Sequence, residues 1–164
     1  MKLEHYKNNE VIFRQGDPSV CMYRIEKGKV GIVLDYENDA RTNLSELTAG
    51  QFLGEMGLIE QTARSATAAS LSDDTELQVI DEENVGRWFA GNPEETRFLL
   101  KQMSMRLRRI SRDYAEVCRT VSDVVEAEKA GTRNDPALQN RIRKTLAGFE
   151  ASSLEGAREG GETE

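Results

Sequence analysis

The chain has one histidine, two cysteines and three prolines in 164 residues. A lone His5 in the N-terminal segment leaves no partner set for a Ser–His–Asp or Cys–His nucleophile, and His5 itself reads as inert. Cys21 and Cys118 lie in unlike segments with no motif around either, so they read as free thiols rather than a disulfide framework. Two cysteines and one histidine also fall short of the four ligands that a structural zinc takes, so no metal site is expected. No apolar run approaches the roughly 20 residues needed to cross a bilayer. Nothing apolar follows Met1-Lys2-Leu3-Glu4-His5, so a secretory leader is not expected and the expected location is the cytoplasm. A Gly-x-x-x-x-Gly-Lys phosphate loop is missing as well. With these chemistries set aside, no catalytic residue is assigned, and binding rather than catalysis is expected.

What is present is charge. Lys and Arg number 22 against 29 Asp and Glu, a formal net charge of -7, so the chain as a whole is not a polyanion binder. The balance is uneven. Arg133, Arg141, Arg143 and Lys144 face only Asp135 between Gly131 and Phe149, whereas Glu150, Glu155, Glu159, Glu162 and Glu164 face only Arg158 beyond it. The cluster Arg106, Arg108, Arg109 and Arg112 reads as a solvated helix flank paired with Asp113, Glu116 or a second helix.

The first half alternates short β-prone runs with Gly, Asp and Asn punctuation, as in Met22 to Glu26, Val30 to Leu34, Ala66 to Ala69 and Leu77 to Ile80, with Asp35 to Asp39 as a hairpin tip. Short strands at this spacing predict a β-sandwich or barrel. The second half changes period. Asp81 is a candidate N-cap for a short helix through Val85, Trp88 and Phe89. In Asn92-Pro93-Glu94-Glu95, Asn92 suits the cap, Pro93 the first helical position and Glu95 a capping box. Neither Gly nor Pro then occurs until Gly131, which allows one very long helix. Leu100, Met103, Leu107, Ile110, Tyr114, Val117, Val121 and Val124 recur at alternating spacings of three and four, a sustained heptad seam. A helix laid on the β-rich half accounts for the first turns, where Phe98 and Leu99 widen the apolar face. It does not account for Tyr114 to Val124, and a two-stranded coiled coil in a homodimer is expected. Beyond Gly131, Leu138, Ile142, Leu146 and Phe149 mark one face of a short helix from Pro136. That helix either folds back on the coil or partner subunit, or, with its flanking Arg141, Arg143 and Lys144, meets a membrane surface or partner protein.

The most specific stretch is Phe52-Leu53-Gly54-Glu55-Met56-Gly57-Leu58-Ile59-Glu60-Gln61-Thr62-Ala63-Arg64-Ser65-Ala66-Thr67. It puts small-residue turns, a carboxylate and an arginine within one loop and one short helix. A phosphate ester wants backbone N–H groups and one forked cation, and a sugar hydroxyl wants an acceptor. The stretch resembles the phosphate-binding cassette of cyclic nucleotide-binding domains, with Gly-Glu, a short apolar helix, then Arg-Ser-Ala. Val11-Ile12-Phe13-Arg14-Gln15-Gly16-Asp17, Tyr23 to Val30 with its Gly28 turn, and Gly50-Gln51-Phe52 extend the resemblance over roughly residues 5 to 115.

The resemblance implies an α+β, mainly β fold: a double-stranded β-helix jelly roll (β-roll) followed by a short helix and a long dimerisation helix, parallel to its mate. The expected division is residues 1–92 for the β-roll and short hinge helix, 93–130 for the long helix, 131–149 for the short amphipathic helix and 150–164 for a disordered acidic tail. It also implies Arg64 and Ser65 on the phosphate, Glu55 on the ribose 2′-hydroxyl, and the N–H groups of Glu55, Met56, Arg64 and Ser65 as phosphate donors beside Gly54. Ala63 stands where many members have proline. Ser65 stands where threonine marks cGMP selectivity, so the implied ligand is cAMP, with cGMP as the alternative. Ile110 and Ser111 fall where bacterial cAMP receptors place two hydroxyl residues against the adenine; Ile110 departs from that pattern, leaving Ser111, or Arg109 or Arg112, for the base. Only a short segment follows Ala130, in place of the winged helix of the transcription factors, so sequence-specific DNA binding is not expected. The expected function is a cyclic nucleotide sensor in signal transduction, acting through its dimer helix or an effector protein. The alternatives are a coiled-coil scaffold with an unused pocket, and a transcription regulator whose DNA binding is supplied elsewhere.

Overall fold

The computed structural model describes residues 2–38 and 41–155, with side chains up to residue 148. It forms two compact units, one holding the chain up to Leu99 and the other Leu100–Ser152.

The first unit is a jelly roll of eight strands: β1 (Lys2–Tyr6), β2 (Val11–Phe13), β3 (Cys21–Lys27), β4 (Lys29–Leu34), β5 (Thr42–Thr48), β6 (Phe52–Leu53), β7 (Thr67–Ser70) and β8 (Thr75–Asp81). They make two antiparallel sheets, β1-β8-β3-β6 and β2-β7-β4-β5. The core lies between them, since Tyr23, Ile25, Leu53 and Leu77 come from one sheet and Val30, Leu47 and Ala68 from the other. Each large apolar side chain buried there contributes about 1.5–3 kcal/mol. Strand β7, Thr67-Ala68-Ala69-Ser70, is buried at every position because it runs between β2 and β4. Its small side chains allow neighbours on both faces. Strands β1 and β5 have no apolar run; pairing with β8 and β4 holds them in place.

Helix α1 (Glu55–Glu60) sits between β6 and β7, and α2 (Val85–Gly91) follows β8. Trp88 of α2 meets Phe52 edge-on at 5.6 Å, and Phe98 lies 6.5 Å from the same ring, so the start of the next helix closes over the roll. Asp81 does not cap α2. It ends β8, and its carboxylate accepts from the amide and side chain of Asn84, the residue that does precede the helix. The capping box expected at Asn92 and Glu95 is also replaced. Asn92 donates to the Trp88 carbonyl at 2.8 Å, and Glu95 pairs with Arg24 of β3 at 3.2 Å. A tertiary ion pair thus takes the carboxylate that the local pattern reserved for the helix start.

Helix α3 covers Pro93–Lys129, and α4 covers Pro136–Glu155. Between them the amide of Thr132 donates to Ala127 and that of Gly131 to Glu128, with Gly131 at φ 68, which is a Schellman closure. Asp135 caps α4 by accepting from the Ala137 amide at 2.9 Å. In the second unit α4 folds back antiparallel on α3. Thr120 bonds Thr145 at 2.9 Å, and Arg141 bonds Asp123 at 2.6 Å. Leu138 and Thr145 are buried, whereas Leu146 is 61% exposed. Helix α4 runs past Phe149, where a disordered tail was expected; residues 156–164 of that tail, and the Phe149 side chain, lie outside the described residues. No helix among the described residues is long and apolar enough to cross a membrane.

Candidate functional site

The cassette folds around Arg64. The turn after β2 is tied by the Arg14 amide donating to the Asp17 carboxylate at 2.8 Å. That turn then grips the arginine backbone: Arg64 donates its amide to the Asp17 carbonyl, and its carbonyl accepts from Gly16, both at 2.9 Å. The Arg64 amide is therefore engaged, which corrects its expected part as a phosphate donor. What remains of Arg64 for a ligand is its side chain.

That side chain is only 4% exposed. Nη1 donates to the Gly54 carbonyl at 2.9 Å, and Nη2 to the Cys21 sulfur at 3.5 Å. The guanidinium carbon lies 4.2 Å from the Phe13 ring centroid and 5.9 Å from that of Tyr23. A desolvated cation over an aromatic face gains about 2 kcal/mol. Nε has no hydrogen-bond partner among the described residues, nor does the buried Oγ of Ser19. Buried N–H groups are almost always paired, so this one marks a place where the fold leaves a cationic donor unsatisfied.

Gly54 makes this arrangement possible. It holds the left-handed conformation (φ 75, ψ 5) immediately before α1. A Cβ there would collide with Nη1 of Arg64 and press on Phe13. Gly57 permits a second close approach, because a Cβ there would lie 2.6 Å from Ser19 Oγ. Glu55, in the first turn of α1, is 2% exposed. Met56 is 39% exposed, and Ser65 is exposed beside Arg64. Ser111 lies on α3 with an exposed side chain, in the second unit. Gly54, Glu55, Met56, Arg64 and Ser65 thus share one corner of the roll, and Ser111 belongs to the helical hairpin.

Four residues of this corner, Phe13, Ser19, Cys21 and Tyr23, were not singled out from the sequence. The alternation that signals a strand marks Phe13 and Tyr23 as core without saying that an arginine lies against them. Behind Cys21 runs a polar chain. Burial first, then a hydrogen bond with Cys21, pushes the Tyr23 hydroxyl well above the ordinary tyrosine value of 10.0. Burial first, then its bond to Glu4, does the same for Tyr6, whose hydroxyl donates to that carboxylate at 2.7 Å.

The family model described as the cyclic nucleotide-binding domain matches residues 3–92. The chain belongs to the cyclic nucleotide-binding domain family. This domain is 36% identical over 76 residues to the cAMP-dependent protein kinase type II regulatory subunit of Drosophila melanogaster, covering 46% of this chain and 20% of that protein. Over 161 residues it is 25% identical to the CRP-like cAMP-activated global transcriptional regulator of Mycobacterium tuberculosis, covering 93% of this chain and 70% of the regulator. The chain therefore spans a fifth of the kinase subunit's length and somewhat over two thirds of the regulator's. The crystal structure of the Thermus thermophilus catabolite activator protein superposes with a TM-score of 0.61 at 19% identity, over 92% of this chain and 78% of that one, so the two share their fold.

Proposed function

We propose that this cyclic nucleotide-binding domain is a cAMP sensor, a binding module rather than an enzyme, that signals through contacts of its helical unit. The observation that carries the reading is Arg64: a guanidinium that the fold buries, stacks and clamps by its backbone, yet leaves with an unpartnered Nε–H. A group with that donor, in low dielectric, suits a small anion, and the left-handed Gly54 corner keeps the space against it free of a side chain. Gly54, Glu55, Met56, Arg64 and Ser65 would hold the sugar–phosphate, with Glu55 accepting from the ribose 2′-hydroxyl. A carboxylate that accepts from the 2′-hydroxyl favours ribonucleotides over deoxy analogues by that hydrogen bond. Serine at position 65 and two relatives named for cAMP support cAMP over cGMP.

The helical unit supports a homodimer. Leu100, Leu107, Tyr114 and Val121, one edge of the heptad seam, are 62%, 65%, 69% and 56% exposed on the single chain. Four large apolar groups in a heptad row suit pairing along a second α3. An effector protein reading the hairpin, rather than DNA, is the output this reading implies; a mobility shift with sequence preference and a steep salt dependence would overturn that part.

Titration calorimetry of the folded chain with cAMP and cGMP tests the central claim. Micromolar or tighter binding of cAMP, about -8 kcal/mol or better, with weaker binding of cGMP, is expected. No heat with either nucleotide would overturn it.

A further inference from the structure

We propose that Cys21 is a modifiable thiol within the Arg64 corner, and that a small disulfide exchanging onto its sulfur and a bound nucleotide exclude one another. The inference rests on the reading of that corner as a nucleotide site and adds a thiol-based control to it. Cys21 opens β3, half-buried, with its sulfur 3.5 Å from Nη2 of Arg64. Tyr23, two residues on along the same strand, lies with its ring centroid 5.9 Å from the same guanidinium. The sulfur is half-buried and held against a guanidinium at the edge of the corner, where a small disulfide can exchange onto it. The second, independent observation is the arginine. Its side chain is more than nine-tenths buried, it points at the sulfur, and its Nε is unpartnered, as is the Ser19 hydroxyl two residues before Cys21. Cys118, the other cysteine, is exposed on α3 beside the Tyr114 hydroxyl, outside the Arg64 corner.

The step balances with a low-molecular-weight disulfide as co-reactant. The Cys21 sulfur gives up its proton and bonds one sulfur of the disulfide. The S–S bond breaks, and the departing thiolate takes the electron pair and then the proton. One thiol and one disulfide become a mixed disulfide and one thiol. The added group then sits at the N–H edge of Arg64, where the phosphate would bind. A bound phosphate in turn draws Nη2 away from the sulfur and covers it.

The test uses the Cys118→Ser chain, so that Cys21 is its single thiol, and dithiodipyridine as the disulfide, with released thiopyridone as the readout. With cAMP at roughly a hundred times its Kd the free site falls to about one part in a hundred, and the rate is expected to fall about a hundredfold. After modification, cAMP affinity is expected to drop at least about tenfold and to recover with dithiothreitol. The Cys21→Ser chain is expected to keep whatever affinity it has through the same treatment. Circular dichroism accompanies each sample. An unchanged rate with saturating cAMP, unchanged affinity after modification, or loss of affinity only through unfolding overturns the inference while the sensor reading stands. A chain that binds no cyclic nucleotide before modification overturns the sensor reading and this inference together.

Discussion

The roll and the helical hairpin are each left with something unpaired, of opposite kinds. In the roll it is polar and buried: the Nε–H of Arg64, in a corner packed by Phe13, Tyr23 and Gly54. In the hairpin it is apolar and exposed: the row Leu100, Leu107, Tyr114 and Val121, left uncovered although α4 buries Leu138 and Thr145 in the same unit. Burying a donor without a partner costs on the order of 1–3 kcal/mol, and the remedy is one small acceptor. Exposing four large side chains forfeits a similar sum per residue, and the remedy is a second surface. The two regions are therefore expected to be disabled by different kinds of substitution, and each prediction below tests one of them.

The largest effect is expected from Arg64→Ala. Losing the buried forked cation of the corner should weaken cAMP binding by roughly 2–5 kcal/mol, about thirtyfold to several thousandfold in Kd, by calorimetry, while sedimentation still shows the proposed dimer. Arg64→Lys keeps the charge without the fork and should fall between; equal affinity in all three chains would break the assignment. Next is Leu107→Asp with Tyr114→Asp, which should turn the proposed dimer into monomer by sedimentation at micromolar concentration. Because binding is read through the helical unit, linkage expects the nucleotide Kd to move with the loss of that contact.

A smaller effect comes from the tyrosines behind Cys21. Their folded pKa values are raised, so the unfolded chain releases their protons first. Stability is intact below the ordinary tyrosine value of 10.0 and declines as pH rises above it. Denaturant melts of Tyr6→Phe should show a shallower decline on the alkaline side than the parent. The smallest effect is expected at Arg141→Ala, which removes a solvent-exposed pair with Asp123. About 0.5 kcal/mol of stability is at stake, with no change in nucleotide affinity.

The cassette was legible because its residue types are specialised. A left-handed corner needs Gly54, and a forked cation needs Arg64. The long helix was legible from the run without Gly or Pro between Pro93 and Gly131. What was not legible depended on partners distant in sequence. Glu95 fits a capping box by spacing, yet Arg24 lies some seventy positions earlier and takes it. The same holds for the Arg64 amide, which looked available until the turn at Asp17 was in place. Strand β5, Thr42–Thr48, is too polar to announce itself and exists because β4 offers it a ladder. The fold-back of the last helix rests on Thr145 and Arg141, which join it to residues of α3 some twenty positions earlier.

The clamp on Arg64 has a consequence for how the corner comes into being. Its grip is drawn from three stretches of chain: the turn at Gly16 and Asp17, the first residue of β3, and the bend at Gly54. An excised peptide spanning residues 52–67 would contain Gly54, Glu55 and Arg64 but neither the turn nor the sulfur, and its arginine would be a solvated side chain like any other. The corner is thus assembled by the closing of the roll, and a newly made chain acquires it only once β2, β3 and β7 have met.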